Sequence, residues 1–249
     1  MILANVRERL TPRDVELVVE VLAEGDAARQ RDLSARARVD GIGWPRRHPG
    51  LQAGIDYLLD RPDLLGRLER LPALGSPSPA LFFYVAARRA LLESGIDDAA
   101  LSDYVASLLY EFGLRDRAYR IAHHDDEVYR YLVDLAIDIE AVPGRRGFLL
   151  SAHLGNFSLW LAGVFPDYIT ARRERKGGPD FSYYEAMGSQ GYRLARDHQL
   201  ARRFGLEEIY SRAADCFGQI RIALNRLSDR LFFPNWPTPD RLLRPAMDG

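Results

Sequence analysis

The chain has 249 residues, 47% of them hydrophobic and 28% charged, with a net charge of −1. That suits a soluble globular protein of one large domain or two small ones, and it argues against binding nucleic acid mainly by phosphate neutralisation. Cys216 is the only cysteine, which excludes an intrachain disulfide and zinc sites of the Cys₄ or Cys₂His₂ type.

Lys176 is the only lysine among many arginines, which reads as the coding bias of a GC-rich bacterial genome. The N-terminus becomes charged at Arg7 before a long apolar signal core forms, so a cytoplasmic location is expected.

Helical periodicity dominates in chain order. Thr11-Pro12 is an N-cap followed by a first-turn proline, and the helix it opens is expected to run to Gly25. A weaker helical pattern covers Asp26 to about Val39. The Gly- and Pro-rich loop at 41–50 separates a helical N-terminal arm (1–40) from a body (51–231). Within the body, short helices are expected in 51–60 and 63–71, and a strong one from Pro79 to about Glu93. Asp97 or Asp98 caps the next, whose Leu101, Tyr104, Val105, Leu108, Leu109 and Phe112 follow helical spacing up to Gly113.

A helix is then expected from about Asp126 to Val142, an apolar helix over about 147–165, a polar loop at 171–180 and a helix in 181–203. The last is expected as one helix from Leu206 to about Leu231. Its Leu206, Tyr210, Ala213, Phe217, Ile220, Leu224, Leu227 and Leu231 alternate spacings of four and three, the a/d seam of a helix packed lengthwise on others. Intramolecular packing is the favoured use of that seam, with a homo-oligomer or protein partner through Leu206–Leu231 as the other. The tail, 232–249, reads as extended. No alternating strand is found, and the fold class expected is all-α: a single-domain bundle of about 8–10 helices around a buried central helix at about 147–165.

Several stretches invite a chemical reading. "AHHDDEVYRYLVDLAIDIE" (122–140) concentrates imidazoles and carboxylates, but the chain contains no Glu-x-x-His or His-Glu-x-x-His pair. Capping accounts for these residues: His123 and His124 suit a helix C-terminus, and Asp125, Asp126 and Glu127 suit a helix N-terminus. Arg130 and Asp134 are spaced as an i,i+4 pair. His124-Asp125 resembles the doublet of the HD-domain phosphohydrolases, whose pattern also needs an upstream His and a downstream Asp; beyond the adjacent His123 the only upstream His is His48, in the Gly- and Pro-rich loop. "IDDAALSDY", with Asp97, Asp98 and Asp103, resembles the magnesium-binding motif of isoprenoid synthases, without its second motif. Arg172, Arg173, Arg175 and Lys176 form the one basic cluster, read as a solvated loop. No Walker, Rossmann or nucleophile-elbow signature is present, so no cofactor is expected.

The stretch "FLLSAHLGNFSLW" resembles the His-x₄-acid motif of the lipid A acyltransferase family, but Ser158 stands where the carboxylate belongs, and His153 lacks the partner that would orient it and raise its basicity. The surrounding run barely reaches membrane-spanning length, and His, Asn, Ser and Gly would consume most of its insertion energy; no membrane association is expected. As a buried helix, it presents Ser151, Gly155, Ser158 and Ala162 as a narrow face for close approach by another helix. His153, Asn156 and Trp160 lie on the opposite side. "AHLGNFSLWLAGVFP" with "YYEAMGSQGY" resembles hypothetical bacterial proteins without assigned activity, a likeness that transfers no catalytic residue.

The function expected is a non-catalytic interaction or regulatory role. The alternative is a small-ligand-binding or metal-dependent enzyme with a pocket near His153 and Asn156, with Trp160, Asp134 or His124 contributing.

Overall fold

A computed structural model describes residues 1–37, 55–72, 75–114, 117–122 and 125–232. Among them all regular structure is helical, as the periodicity requires. The loop at 41–50, His123, His124 and the tail from 233 lie outside these residues.

The helices in order are α1 (Pro12–Ala23), α2 (Ala27–Ala37), α3 (residues 55–59), α4 (Leu64–Leu68), α5 (Pro79–Glu93), α6 (Ala99–Phe112), α7 (Leu132–Ala141), α8 (Gly144–Val164), α9 (Pro166–Lys176), α10 (Phe181–Arg196), α11 (Gln199–Arg203), α12 (Glu207–Asp215) and α13 (Phe217–Phe232). Local chemistry sets their starts. Thr11 and Asp14 form a reciprocal capping box on α1. Ser78, Asp98 and Asp180 each accept from a first-turn N–H of α5, α6 and α10, which removes one orphan donor apiece.

Four boundaries differ from expectation. The residues read as a polar loop at 171–180 are largely helical: α9 opens on Pro166 and ends at Gly177, whose φ is +61°. A proline in the first turn, basic residues in the last and a left-handed glycine after it are helix signals despite the polarity. The expected helix at 126–142 begins only at Leu132, because Asp125 and Glu127 are drawn into ion pairs with Arg146. Arg130 therefore precedes the helix, and the i,i+4 geometry toward Asp134 is not set up. The pattern at 181–203 divides at Asp197-His198, where His198 Nδ1 accepts from Leu200 N–H and caps α11. The expected single helix 206–231 breaks at Cys216 into α12 and α13. At that break Phe217 turns inward, and an added Cβ on Gly188 would lie 2.3 Å from its ring. The seam is nonetheless spent inside the chain, with Leu206, Tyr210, Ala213, Phe217, Ile220, Leu224 and Leu227 all buried. Leu231 at its end is half-buried.

Helix α8 is the axis on which α7, α9, α10 and α13 pack. It is the one described helix long and apolar enough to cross a membrane, but 78% of its most apolar window is buried by the chain itself. That is the position of a core helix wrapped on every side. Its tightest neighbour is α10. A Cβ on Gly191 would stand 2.7 Å from Gly155 N and 2.8 Å from Ser151 O, and one on Gly155 would lie 2.6 Å from the Tyr192 ring. The two backbones thus cross across a Gly-on-Gly contact, on the small-residue face of α8. Further along, Gly188 meets Ser158 and Gly163 meets Leu224 of α13 in the same way.

The N-terminal segment belongs to the same core. Ile2, Val6 and Leu10 are buried, and α6 holds the backbone between them. Ser107 Oγ accepts from the N–H groups of Asn5 and Val6 at 3.3 and 3.1 Å, and Asp103 Oδ1 accepts from Arg7 N–H at 2.9 Å.

Because the atoms crowding Gly191 are backbone and cannot rotate away, Gly191→Ala is expected to cost about 3 kcal/mol in urea unfolding. Gly218→Ala, whose nearest neighbour is the flexible end of Glu185 at 3.4 Å, is expected to leave stability unchanged or raise it by up to ~1 kcal/mol.

Candidate functional site

The sequence points first to the polar residues of α8, and helix geometry gives them separate surroundings. His153 and Asn156, each 3% exposed, lie about 60° apart around the helix, which is enough to send them to different neighbours.

His153 enters an aromatic layer. Its ring stacks on Phe157 with centroids 5.8 Å apart and planes within 6°, and it meets Phe112 of α6 edge-on at 5.7 Å. Trp160, half-buried, contacts the same Phe112 at 5.8 Å and Phe165 at 5.4 Å. Nε2 of His153 has no hydrogen-bond partner. Burial, then the nearby Arg117 guanidinium and the chain's terminal amine, lower its pKa to about 3, with only the Ala118 backbone opposing. The imidazole is neutral through the physiological range.

Asn156 turns instead to three tyrosines. Its Oδ1 accepts from Tyr104 Oη at 2.6 Å and from Tyr192 Oη at 3.0 Å, which occupies both lone pairs of that oxygen. Tyr210 completes the group, edge-on to Tyr104 at 5.7 Å and stacked on Tyr192 at 5.7 Å. Burial raises all three phenols well above their ordinary pKa. The cluster ties α6, α8, α10 and α12 together. The sequence shows Tyr104 on the apolar face of its helix and Tyr210 in the seam, but nothing in it places the hydroxyls of Tyr104 and Tyr192 on one acceptor.

Asp134 is exposed on α7, away from this core. Of the candidate residues, His153 and Trp160 share Phe112, Asn156 joins the tyrosines, and Asp134 joins neither group.

The other motifs also resolve into structure. Asp97 binds Arg88 at 2.6 Å, Asp98 caps α6 and Asp103 holds the N-terminal segment, so the three aspartates of "IDDAALSDY" serve three different elements. Arg88, itself buried, also forks onto Asp60 with two 2.8 Å bonds. Arg7 pairs with Asp56 and lies over the Tyr84 ring at 5.2 Å. This ionic group at the N-terminal side escapes sequence reading because its members are far apart in the chain. In the acidic stretch, Arg146 bonds Asp125 at 3.2 Å and Glu127 at 2.6 Å, while Tyr129 Oη lies 2.6 and 2.7 Å from carboxylate oxygens of Glu127 and Asp138, which share its one proton. Among the described residues no three His, Cys, Asp or Glu side chains are grouped to hold a metal ion.

What remains unabsorbed is a surface. At 100° per residue, Val133, Asp134, Ile137, Glu140 and Ala141 share one face of α7, and all are exposed. Val133 is 51% and Ile137 60% exposed, and Tyr131 just before the helix is 52%. Tyr131 is held by Arg172 of α9, 5.3 Å over its ring.

Comparison with family models, with curated proteins and with solved structures finds no match in any of the three.

His153 and Asp103 act in opposite directions with pH. Folding depresses His153 from 6.5 to about 3, so its contribution is complete above pH 6.5 and is lost as pH falls toward 3. At about 1.4 kcal/mol per pH unit, this amounts to roughly 5 kcal/mol. Folding raises Asp103 from 3.8 to about 6, through burial that outweighs the Arg7 N–H bond and the Arg7 charge. Its contribution is complete below pH 3.8 and is lost as pH rises through 6, on the order of 3 kcal/mol. Relative to wild type, His153→Phe is therefore expected to gain stability as pH falls from 6.5 to 4. Asp103→Asn, which keeps an acceptor for Arg7 N–H, is expected to lose stability more steeply over the same range. Urea midpoints at a series of pH values test both, and parallel curves for all three proteins would contradict the assignment.

Proposed function

We propose that this protein is a soluble, cytoplasmic, bacterial interaction or regulatory module without catalysis, and that the outward face of α7 is its docking surface. The observation that carries this reading is the exposed run of Tyr131, Val133 and Ile137 on a helix whose Leu132 and Leu135 already satisfy its packing. Exposed apolar residues grouped on one helix face mark a contact surface more often than scattered single ones do. The α7 reading is supported over a ligand pocket at His153 and Asn156 because those two side chains are engaged in different packing layers, and the Asn156 oxygen is already used.

A photo-crosslinking residue at position 137, introduced in the native cell, is expected to give a discrete adduct. That adduct disappears when Val133→Asp is added, whereas the same probe at Arg31 on α2 gives none. Val133→Asp and Ile137→Asp, both at exposed positions, should each change folding stability by no more than about 0.5 kcal/mol. Equal yields at 137 and 31, or no adduct at 137, would overturn the reading.

A further inference from the structure

Resting on that reading, we propose that the α7 face docks on the corner formed by the end of α10 and α11 of a second copy of this chain. The two surfaces are complementary in charge and alike in apolar content. Helix α7 carries Asp134, Asp138 and Glu140 and no basic residue. Asp138 is engaged by Tyr129, while Asp134 and Glu140 share the exposed helix face of Val133 and Ile137 and make no ion pair among the described residues. The segment 193–204 carries Arg193, Arg196, Arg202 and Arg203 against Asp197 alone. Arg196 pairs with Asp197 and Arg202 with Glu207, which leaves Arg193 and Arg203 without an ion pair among the described residues. Beside them Leu194 and Phe204 stand 43% and 44% exposed.

Each segment therefore carries two large exposed apolar side chains and two charges of one sign without an ion pair among the described residues. Pairing α7 with α7 would set carboxylates against carboxylates, and pairing the corner with itself would set guanidinium against guanidinium; like-charge juxtaposition of that kind disfavours both. Pairing α7 with the corner buries apolar surface on both sides and neutralises both sets of charges. As the two patches are different, the contact occurs twice in a closed two-fold dimer or continues head to tail. The seam at 206–231, the first candidate for self-association, is already buried, and this pairing leaves it so.

The test is mass by light scattering on three purified proteins. The wild type is expected to rise above monomer mass with concentration and to fall back in about 0.5 M salt, where the Debye length shrinks to a few ångströms. Asp134→Arg/Glu140→Arg carries two basic patches, and Arg193→Glu/Arg203→Glu carries two acidic ones. Each alone should be monomeric, and an equal mixture of the two should associate again, because every contact then joins opposite charges. Thermal unfolding checks that each variant is folded. Should either reversal fail to fold, Asp134→Asn/Glu140→Gln and Arg193→Gln/Arg203→Gln replace them, each expected to weaken association roughly tenfold. A wild type monomeric to about 1 mM, variants that associate as the wild type does, or a mixture that stays monomeric would each overturn the pairing. The adduct at position 137 separates the two claims: a mass of two chains supports this pairing. Another mass refutes it while leaving α7 as a docking face, and no adduct removes both.

Discussion

The Gly155–Gly191 contact governs the arrangement of the core. Where α8 and α10 cross, an added methyl on Gly191 would meet Gly155 N and Ser151 O rather than side chains, so the separation of the two helices is set by main chain against main chain. That closeness brings the Tyr192 ring down beside Gly155 and puts its hydroxyl within 3.0 Å of Asn156. A wider crossing would leave the asparagine oxygen short of one donor and the phenol buried without an acceptor, at a cost of about 1–3 kcal/mol per orphaned group. The same closeness at Gly188 admits the Phe217 ring and so coincides with the break between α12 and α13.

The core polar groups divide into three kinds. Asn156 with its tyrosines is a network whose members specify each other's positions, a use of buried polarity that fixes one packing among many. His153 is held less fully: the Ala118 backbone engages its ring, while its Nε2 has no hydrogen-bond partner. Its contribution is chiefly steric and aromatic, filling the space between Phe157 and Phe112, and its basicity is suppressed by the same burial. Asp103 is a third case, desolvated yet retained because its carboxylate and the Ser107 hydroxyl replace missing backbone partners of the N-terminal segment.

With the polar interior engaged in packing, the outward chemistry rests on the surface. The acidic face of α7 and the arginine corner at 193–204 are sequence-local patches, each visible as composition. Their exposure depends on which sides of α7, α10 and α11 the core consumes. The basic cluster on α9, by contrast, follows local rules: Arg173, Arg175 and Lys176 fall in the last turn of a helix, where cations suit the dipole.

The sequence by itself determined the all-α class, the central helix near 147–165, the small-residue face of that helix and most helix starts. Those depend on interactions within a few residues: periodicity, capping and glycine conformation. It misjudged the start of α7, the breaks at 197–198 and 216 and the helical nature of 166–176. The first depends on Arg146 reaching back to Asp125 and Glu127 and the break at 216 accompanies the seating of Phe217 against Gly188, contacts that local pattern does not encode. The helix at 166–176 had its signals in plain view, outweighed in reading by its polarity. Only the tertiary structure decided the surroundings of the polar core residues. A separation of three positions on a helix is a 60° turn, and whether that turn leads to one shared pocket or to two separate layers depends on which helices stand opposite. Here Phe112 stands before His153 and the tyrosines before Asn156, because α6 and α10 are positioned by contacts made elsewhere along α8.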